Sequence, residues 1–113
     1  MRKQLQALGR LKTGQMNKTE EDYAAHLKRI TGTVIAWYKF EGIKLRLADN
    51  TFYTPDFAVM LTTGEMELHE VKGFWTDDAR VKIKVAADMY PFTFRALKPI
   101  PKSKGGGWNC ETF

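Results

Sequence analysis

The chain has 113 residues, 43% apolar and 12% aromatic, enough for one domain with a packed core and too few for two. No apolar run approaches the ~20 residues of a membrane span, the basic N-terminus lacks a signal peptide's long apolar stretch, and the single cysteine, Cys110, can form no internal disulfide, which fits a reducing cytoplasm. The net charge of +5 sits in two tails around a slightly acidic middle, a distribution suited to holding a polyanion and binding cations, or simply to keeping a small protein soluble.

In chain order, residues 1–18 carry Arg2, Lys3, Arg10, Lys12 and Lys18 with no acid and read as a mobile basic arm. "NKTEEDYAAHLKRI" then starts a helix with Thr19 as N-cap and acids in the first turn. Tyr23, Leu27 and Ile30 form its buried stripe, and "TGT" ends it. Residues 34–47 are β-branched and aromatic and read as a strand bent at Gly42, with Trp37 in the core. "ADN" at 48–50 is a hairpin turn, and 51–61 is the second strand, in which Pro55 marks an edge or a bulge. After a turn at "TTGE", 65–74 is the third strand. Residues 76–90 form a second helix capped by Thr76, Pro91 ends it, and 92–97 is the last strand. The basic, Pro/Gly-rich tail 98–113 is expected to be loosely held. Helix, three-strand meander, helix, strand is an α/β domain with a mixed sheet over 19–97.

The chemistry gathers in "YTPDFAVMLTTGEMELHEVKG" at 53–73. Strand alternation puts Met66, Leu68, Glu70 and Lys72 on one face, with two charges at the end of an apolar stripe. Pairing residue 61 with 65 or 66 sets Asp56 opposite about 70 or 71. Two carboxylates that close repel unless a divalent cation lies between them. Asp56, Glu70 and the Val71 carbonyl are hard oxygen donors suited to Mg²⁺ or Mn²⁺. Lys72 beside them could position a water and offset charge on a phosphate. An edge-strand salt bridge would use the same residues without any chemistry. Glu20, in register with Tyr23 and Leu27, is the helix acid that looks toward the sheet. Glu41, mid-strand, is its rival.

In the second helix Ala79, Val81, Ile83, Val85, Ala86, Ala87, Met89 and Tyr90 make a wide apolar arc, with Arg80, Lys84 and Asp88 opposite. Lys82 falls inside the arc, where it either snorkels or reaches a phosphate at the Asp56/Glu70 site. Trp75, just after "EVKGF", is the tryptophan best placed to meet a ligand. His26, His69 and Cys110 lack the spacing of a zinc cluster.

"PD" at 55–56 and "EVK" at 70–72, on adjacent strands after a helix with an inward glutamate, resemble the PD-(D/E)XK nuclease superfamily. More narrowly, "NKTEEDYAAHL", "FEGIKLRLADNTFYTPDFAV" and "HEVKGFWTDDARVKIKVAA" look like small phage and prophage endonucleases related to endonuclease I-type Holliday-junction resolvases. The resemblance covers about residues 17–97. It implies a restriction-endonuclease-like α-β-β-β-α-β core and Mg²⁺-dependent phosphodiester hydrolysis leaving 5′-phosphates. Asp56, Glu70 and Glu20 would be metal ligands and Lys72 the catalytic lysine. Lys82, Trp75, Arg80, Lys84, Arg10, Lys12 and Lys18 would lie against DNA. It further implies a phage-encoded protein in the bacterial cytoplasm, branched or junction DNA as substrate, and a homodimer, because resolving a junction needs two paired cuts. Restriction-like or general DNases of the same superfamily, and a non-catalytic nucleic-acid-binding module, are the alternatives.

Overall fold

The structure is a computed structural model that describes residues 14–113. Most of the expected basic arm, including Arg10 and Lys12, lies outside the described residues. The elements are α1 (Lys18–Ile30), β1 (Ile35–Phe40), β2 (Leu45–Ala48), β3 (Thr51–Tyr53), β4 (Phe57–Leu61), β5 (Met66–Val71), α2 (Asp77–Met89), β6 (Thr93–Pro99), a 3₁₀ turn (Lys102–Lys104) and β7 (Trp108–Thr112). This is an α/β fold with two helices among the described residues. Its five-stranded sheet runs β1-β4-β5-β6-β7, and β2 and β3 form a separate ribbon. Only the β5–β6 pair is parallel, joined through α2, so the sheet is mixed.

The helices cover opposite faces of this sheet. Tyr23 and Leu27 of α1 pack with Ile35, Phe57, Val59, Val71 and Leu97. Ile83 and Ala86 of α2 pack with Leu45, Tyr53, Ala58, Leu68 and Phe94. The central strand β5 is therefore buried on both sides. Its polar residues Glu67, His69 and Glu70 are only 6–7% exposed, so each must find a partner inside the protein.

Asn17, not Thr19, caps α1. The Asn17 side-chain oxygen accepts from the Glu20 amide at 2.8 Å, and Glu20 Oε1 accepts from the Asn17 amide at 2.9 Å. This reciprocal box satisfies two helix-start donors at once, which Thr19, two residues further in and already inside the helix, could not do. Thr76 caps α2 as expected, accepting from the Ala79 amide at 3.2 Å.

The two expected long strands are present but broken in the middle. Phe40 pairs with Phe57, whereas beyond the break Leu45 pairs with Tyr53, one residue out of step. Glu41 sits at φ 50 on one side of the break, and Pro55 and Asp56 lie on the other. Gly42 is needed here because an added Cβ would come within 3.1–3.3 Å of the Lys39 and Ala58 side chains. A Glu41 N–H bond to the Asp56 carbonyl, 2.7 Å, pins the break shut. The outer half, β2–β3, leaves the sheet and lies against α2, where Tyr90 OH donates to the Arg46 carbonyl at 2.6 Å.

The C-terminal tail is not loose. β7 pairs with β6 from Arg95↔Thr112 to Pro99↔Trp108 and becomes the sheet's fifth strand. Trp108 packs edge-on against Tyr23, 5.0 Å between centroids. Trp37 is not core: it is 43% exposed on edge strand β1. The apolar arc of α2 is wider than the surface it buries, leaving Val81, Val85 and Met89 at 57%, 38% and 50% exposure. No helix among the described residues is long and apolar enough to cross a membrane.

Candidate active site

The break in the hairpin makes the site. The β4–β5 register runs Met60↔Met66 to Phe57↔His69, so one step further Asp56 stands opposite Glu70. There the chain has left the ladder, and the Asp56 side chain takes the place of a strand partner: Oδ2 accepts from the Val71 amide at 2.8 Å. The N–H and C=O of an extended residue point to the same side, so the Val71 carbonyl also faces the Asp56 end of β4. Glu70, at the end of β5, is held at both oxygens. Tyr53 OH donates to Oε1 at 2.8 Å, and Lys72 Nζ pairs with Oε2 at 3.1 Å.

Burial, and next the charge of Glu70, push the Asp56 carboxyl up to about 8, against the opposing pull of the Val71 amide. Glu20 adds its charge and a hydrogen bond in the same direction. Its carboxylate, oriented by the Asn17 amide, therefore caps the helix and faces Asp56 together. Glu41 does neither: its left-handed backbone leaves the strand and its Oε1 accepts from the Gly14 amide at 3.1 Å. Tyr53 is held well above the usual phenol range, first by burial and then by the Glu70 charge, so it serves Glu70 as a neutral donor.

Glu20, Asp56, Glu70 and Lys72 thus converge from α1, the β3–β4 link and the end of β5. The three acids are hard oxygen donors, and the Asp56 carboxyl is raised by burial first and by the Glu70 and Glu20 charges after it. That is the condition a divalent cation relieves. Among the described residues, however, no group of three carboxylates, histidines or cysteines lies close enough together to hold a metal ion. Glu70 is engaged by Tyr53 and Lys72, and Asp56 by Val71. The Lys72 side chain is 31% exposed, against 9% for Glu70. Glu70 and Lys72 line a cleft of about 670 Å³ together with Phe52, Thr76, Asp78 and Lys82.

The other expected DNA contacts divide. Lys82 is at the cleft, its Nζ 3.5 Å from the Phe52 carbonyl. Lys84 is exposed on α2, and Lys18 pairs with Asp22 at 2.8 Å across the start of α1. Arg80 is committed elsewhere: its guanidinium grips Glu111 of β7 through two bonds, 3.1 and 2.8 Å, and lies over the rings of Trp75 and Phe113. Trp75 is half-buried in that same packing, away from the cleft lining. Arg80→Gln is expected to lower the melting temperature by freeing β7 while leaving DNA affinity unchanged. A titration showing weaker DNA binding at unchanged melting temperature would reverse the assignment.

The α1 side of β5 holds a chain of polar groups that sequence reasoning passed over. Tyr23 OH meets His69 Nδ1 at 2.7 Å, His69 Nε2 meets Glu67 Oε1 at 2.9 Å, and Arg95 takes both Glu67 oxygens at 2.9 Å. Arg95 also donates to Thr112 Oγ1 at 2.7 Å, tying β7 to the network. The sequence signal was the alternation itself, which set Glu67 and His69 beside Val71 on a face that had to be buried.

A comparison with family models, with curated proteins and with solved structures finds no match to this chain.

Proposed function

We propose that the chain is a divalent-metal-dependent DNA endonuclease of the PD-(D/E)XK kind. The order α1–β1–β4–β5–α2–β6 is read as its restriction-endonuclease-like core, with β2–β3 an excursion and β7 an addition. The observation that carries the reading is the Asp56 carboxyl. It is buried with its Oδ2 on the Val71 amide and raised by that burial and by the neighbouring Glu70 and Glu20, and Glu70 in turn lines a cleft that also presents Lys72 and Lys82.

Asp56, Glu70, Glu20 and the Val71 carbonyl would hold Mg²⁺ or Mn²⁺. The ion would supply positive charge against the phosphate and make a nearby water more acidic. Lys72, released from Glu70, donates to the attacking water or to the phosphate oxygen on which charge grows. Tyr53 keeps Glu70 oriented by its hydrogen bond, and Lys82 meets a flanking phosphate from α2. Branched or junction DNA is the substrate that the resemblance to junction resolvases suggests. Shape and backbone recognition need cations rather than a separate sequence-reading element. Two matched cuts need two clefts, so a two-fold pair of chains goes with this reading. The exposed Val81, Val85 and Met89 stripe is an apolar surface available to such a pair. A phage-encoded, cytoplasmic setting accompanies it.

One observation favours a rival, the non-catalytic nucleic-acid-binding module: Glu70 and Lys72 already satisfy each other at 3.1 Å. The two readings separate in one assay. Purified protein with Mg²⁺ or Mn²⁺ is incubated with matched linear, single-stranded and four-way-junction DNA, alongside Lys72→Ala. The nuclease reading expects cleavage that stops with EDTA and falls by about 10²–10³-fold in the variant, with DNA binding kept. Undiminished cleavage by Lys72→Ala would sink the mechanism, and no cleavage by the wild type would leave the binding module.

A further inference from the structure

We propose that Phe52 is a stacking platform for an unpaired nucleobase, so that the cleft takes DNA that is single-stranded or splayed open beside the scissile phosphate. The inference rests on the nuclease reading and names the substrate class of that site. On β3, neighbouring side chains face opposite ways. Tyr53 turns inward onto Glu70 at 2.8 Å, and Phe52 turns to the opposite face of the ribbon, 43% exposed, at the mouth of the cleft that both residues line with Glu70, Lys72 and Lys82. A phenylalanine on that wall has no part in the core clusters on either face of the sheet.

Its position is fixed from both sides. The ribbon is tied to α2 through Tyr90 and the Arg46 carbonyl, 2.6 Å, and Lys82 Nζ reaches the Phe52 carbonyl, 3.5 Å. Lys44 Nζ lies over the Phe52 ring, 4.5 Å from its centroid. A base stacked on the ring therefore has cations at hand for its own phosphates: Lys44 on the ribbon, and Lys72 and Lys82 in the cleft. Trp75, the aromatic residue expected from the sequence to meet a ligand, is occupied by Arg80 and Phe113. Phe52 takes that place.

The test is binding by the full chain in EDTA, so that no cleavage intervenes. Anisotropy measures affinity for a labelled single-stranded oligonucleotide and for the matched blunt duplex. Phe52→Ala is expected to weaken single-strand binding by roughly ten- to hundredfold and duplex binding little. Phe52→Trp retains affinity, and Trp37→Ala, equally exposed at 43% but on edge strand β1, changes nothing. A 2-aminopurine in the strand is quenched by the wild type and not by Phe52→Ala. Single-strand affinity unchanged in Phe52→Ala, equal loss for both DNA forms, or no binding of either form by the wild type overturns the proposal. A wild type that binds in this Phe52-dependent way but never cuts in Mg²⁺ overturns the nuclease reading alone.

Discussion

Asp56→Asn is expected to make the protein more stable at pH 8 and, on the nuclease reading, to suppress cleavage of DNA. Both effects come from the same charge. The Asp56 carboxyl ionises at about 8 in the folded chain, against an ordinary value of 3.8. Between those two values the native state holds a proton that the unfolded state has released. Native stability therefore falls as pH rises from about 4 to about 8. Asparagine keeps the shape, can still accept from the Val71 amide, and carries no charge against Glu70 and Glu20. The melting temperature of the variant should match the wild type near pH 4 and exceed it increasingly toward pH 8. Mg²⁺ should close that gap from the other side, raising the wild-type melting temperature at pH 8 and releasing a proton as it binds, while doing little for the variant. Cleavage should drop by roughly 10³-fold, the several kcal/mol that a well-placed cation supplies to a phosphoryl transition state. An Asp56→Asn protein that is less stable than wild type at pH 8 would show that the acidic cluster is not repulsive. One that still cuts would remove Asp56 from the chemistry.

That cluster was legible in the sequence for a simple reason. A β-strand has a period of two and an antiparallel pair has one register, so the spacing from Asp56 to Glu70 and the turn at Gly64 determine which residues meet. Glu20 followed from the same kind of counting on α1. What periodicity could not supply was the break in the hairpin. Glu41 adopts φ 50 and β2–β3 swings onto α2 because a long two-stranded ribbon gains more apolar contact by folding over Ile83 than by running on into solvent. Nothing local to residues 34–61 encodes that choice. The consequence for the site is large: the swing is what delivers Tyr53 to Glu70 and Phe52 to the cleft. β7 escaped for a related reason. "WNCET" alternates only weakly, and its place in the sheet depends on long-range partners, Arg95 for Thr112 and Arg80 for Glu111. The Asn17 cap, by contrast, was open to reading, since an Asn three residues before a Glu is a capping-box pattern.

The second large effect is structural and lies on the opposite face of β5. Glu67→Gln is expected to cost about 3 kcal/mol at pH 7 and to lower the melting temperature by about 10 °C. Glu67 is buried and accepts from two sides, from His69 Nε2 and from Arg95 Nε and Nη2. With Nε2 donating to Glu67, His69 Nδ1 is left to accept from Tyr23 OH, so one carboxylate sets the roles along the whole chain. A glutamine has one acceptor oxygen where the carboxylate has two, and it leaves the Arg95 guanidinium without a counter-charge. The cost stays at the low end for a broken buried pair because the Arg95 side chain is 33% exposed. The pH dependence has the opposite sign to that of Asp56. The His69 bond, and with it Arg95, holds the Glu67 carboxyl down at about 2, against 4.5 in the unfolded chain. Its stabilisation is complete above about 4.5 and is lost as pH falls toward 2. The gap between wild type and Glu67→Gln should therefore be wide at pH 7 and narrow below pH 3, where the wild-type carboxyl takes up its proton. Chemical denaturation at those two pH values decides the matter, and a gap that does not narrow would mean that the loss comes from packing rather than from charge. Because Glu67 faces α1 and Glu70 faces α2, a strand buried on both sides carries two independent polar systems, one that stabilises the sheet and one that burdens it with the buried acids Asp56 and Glu70.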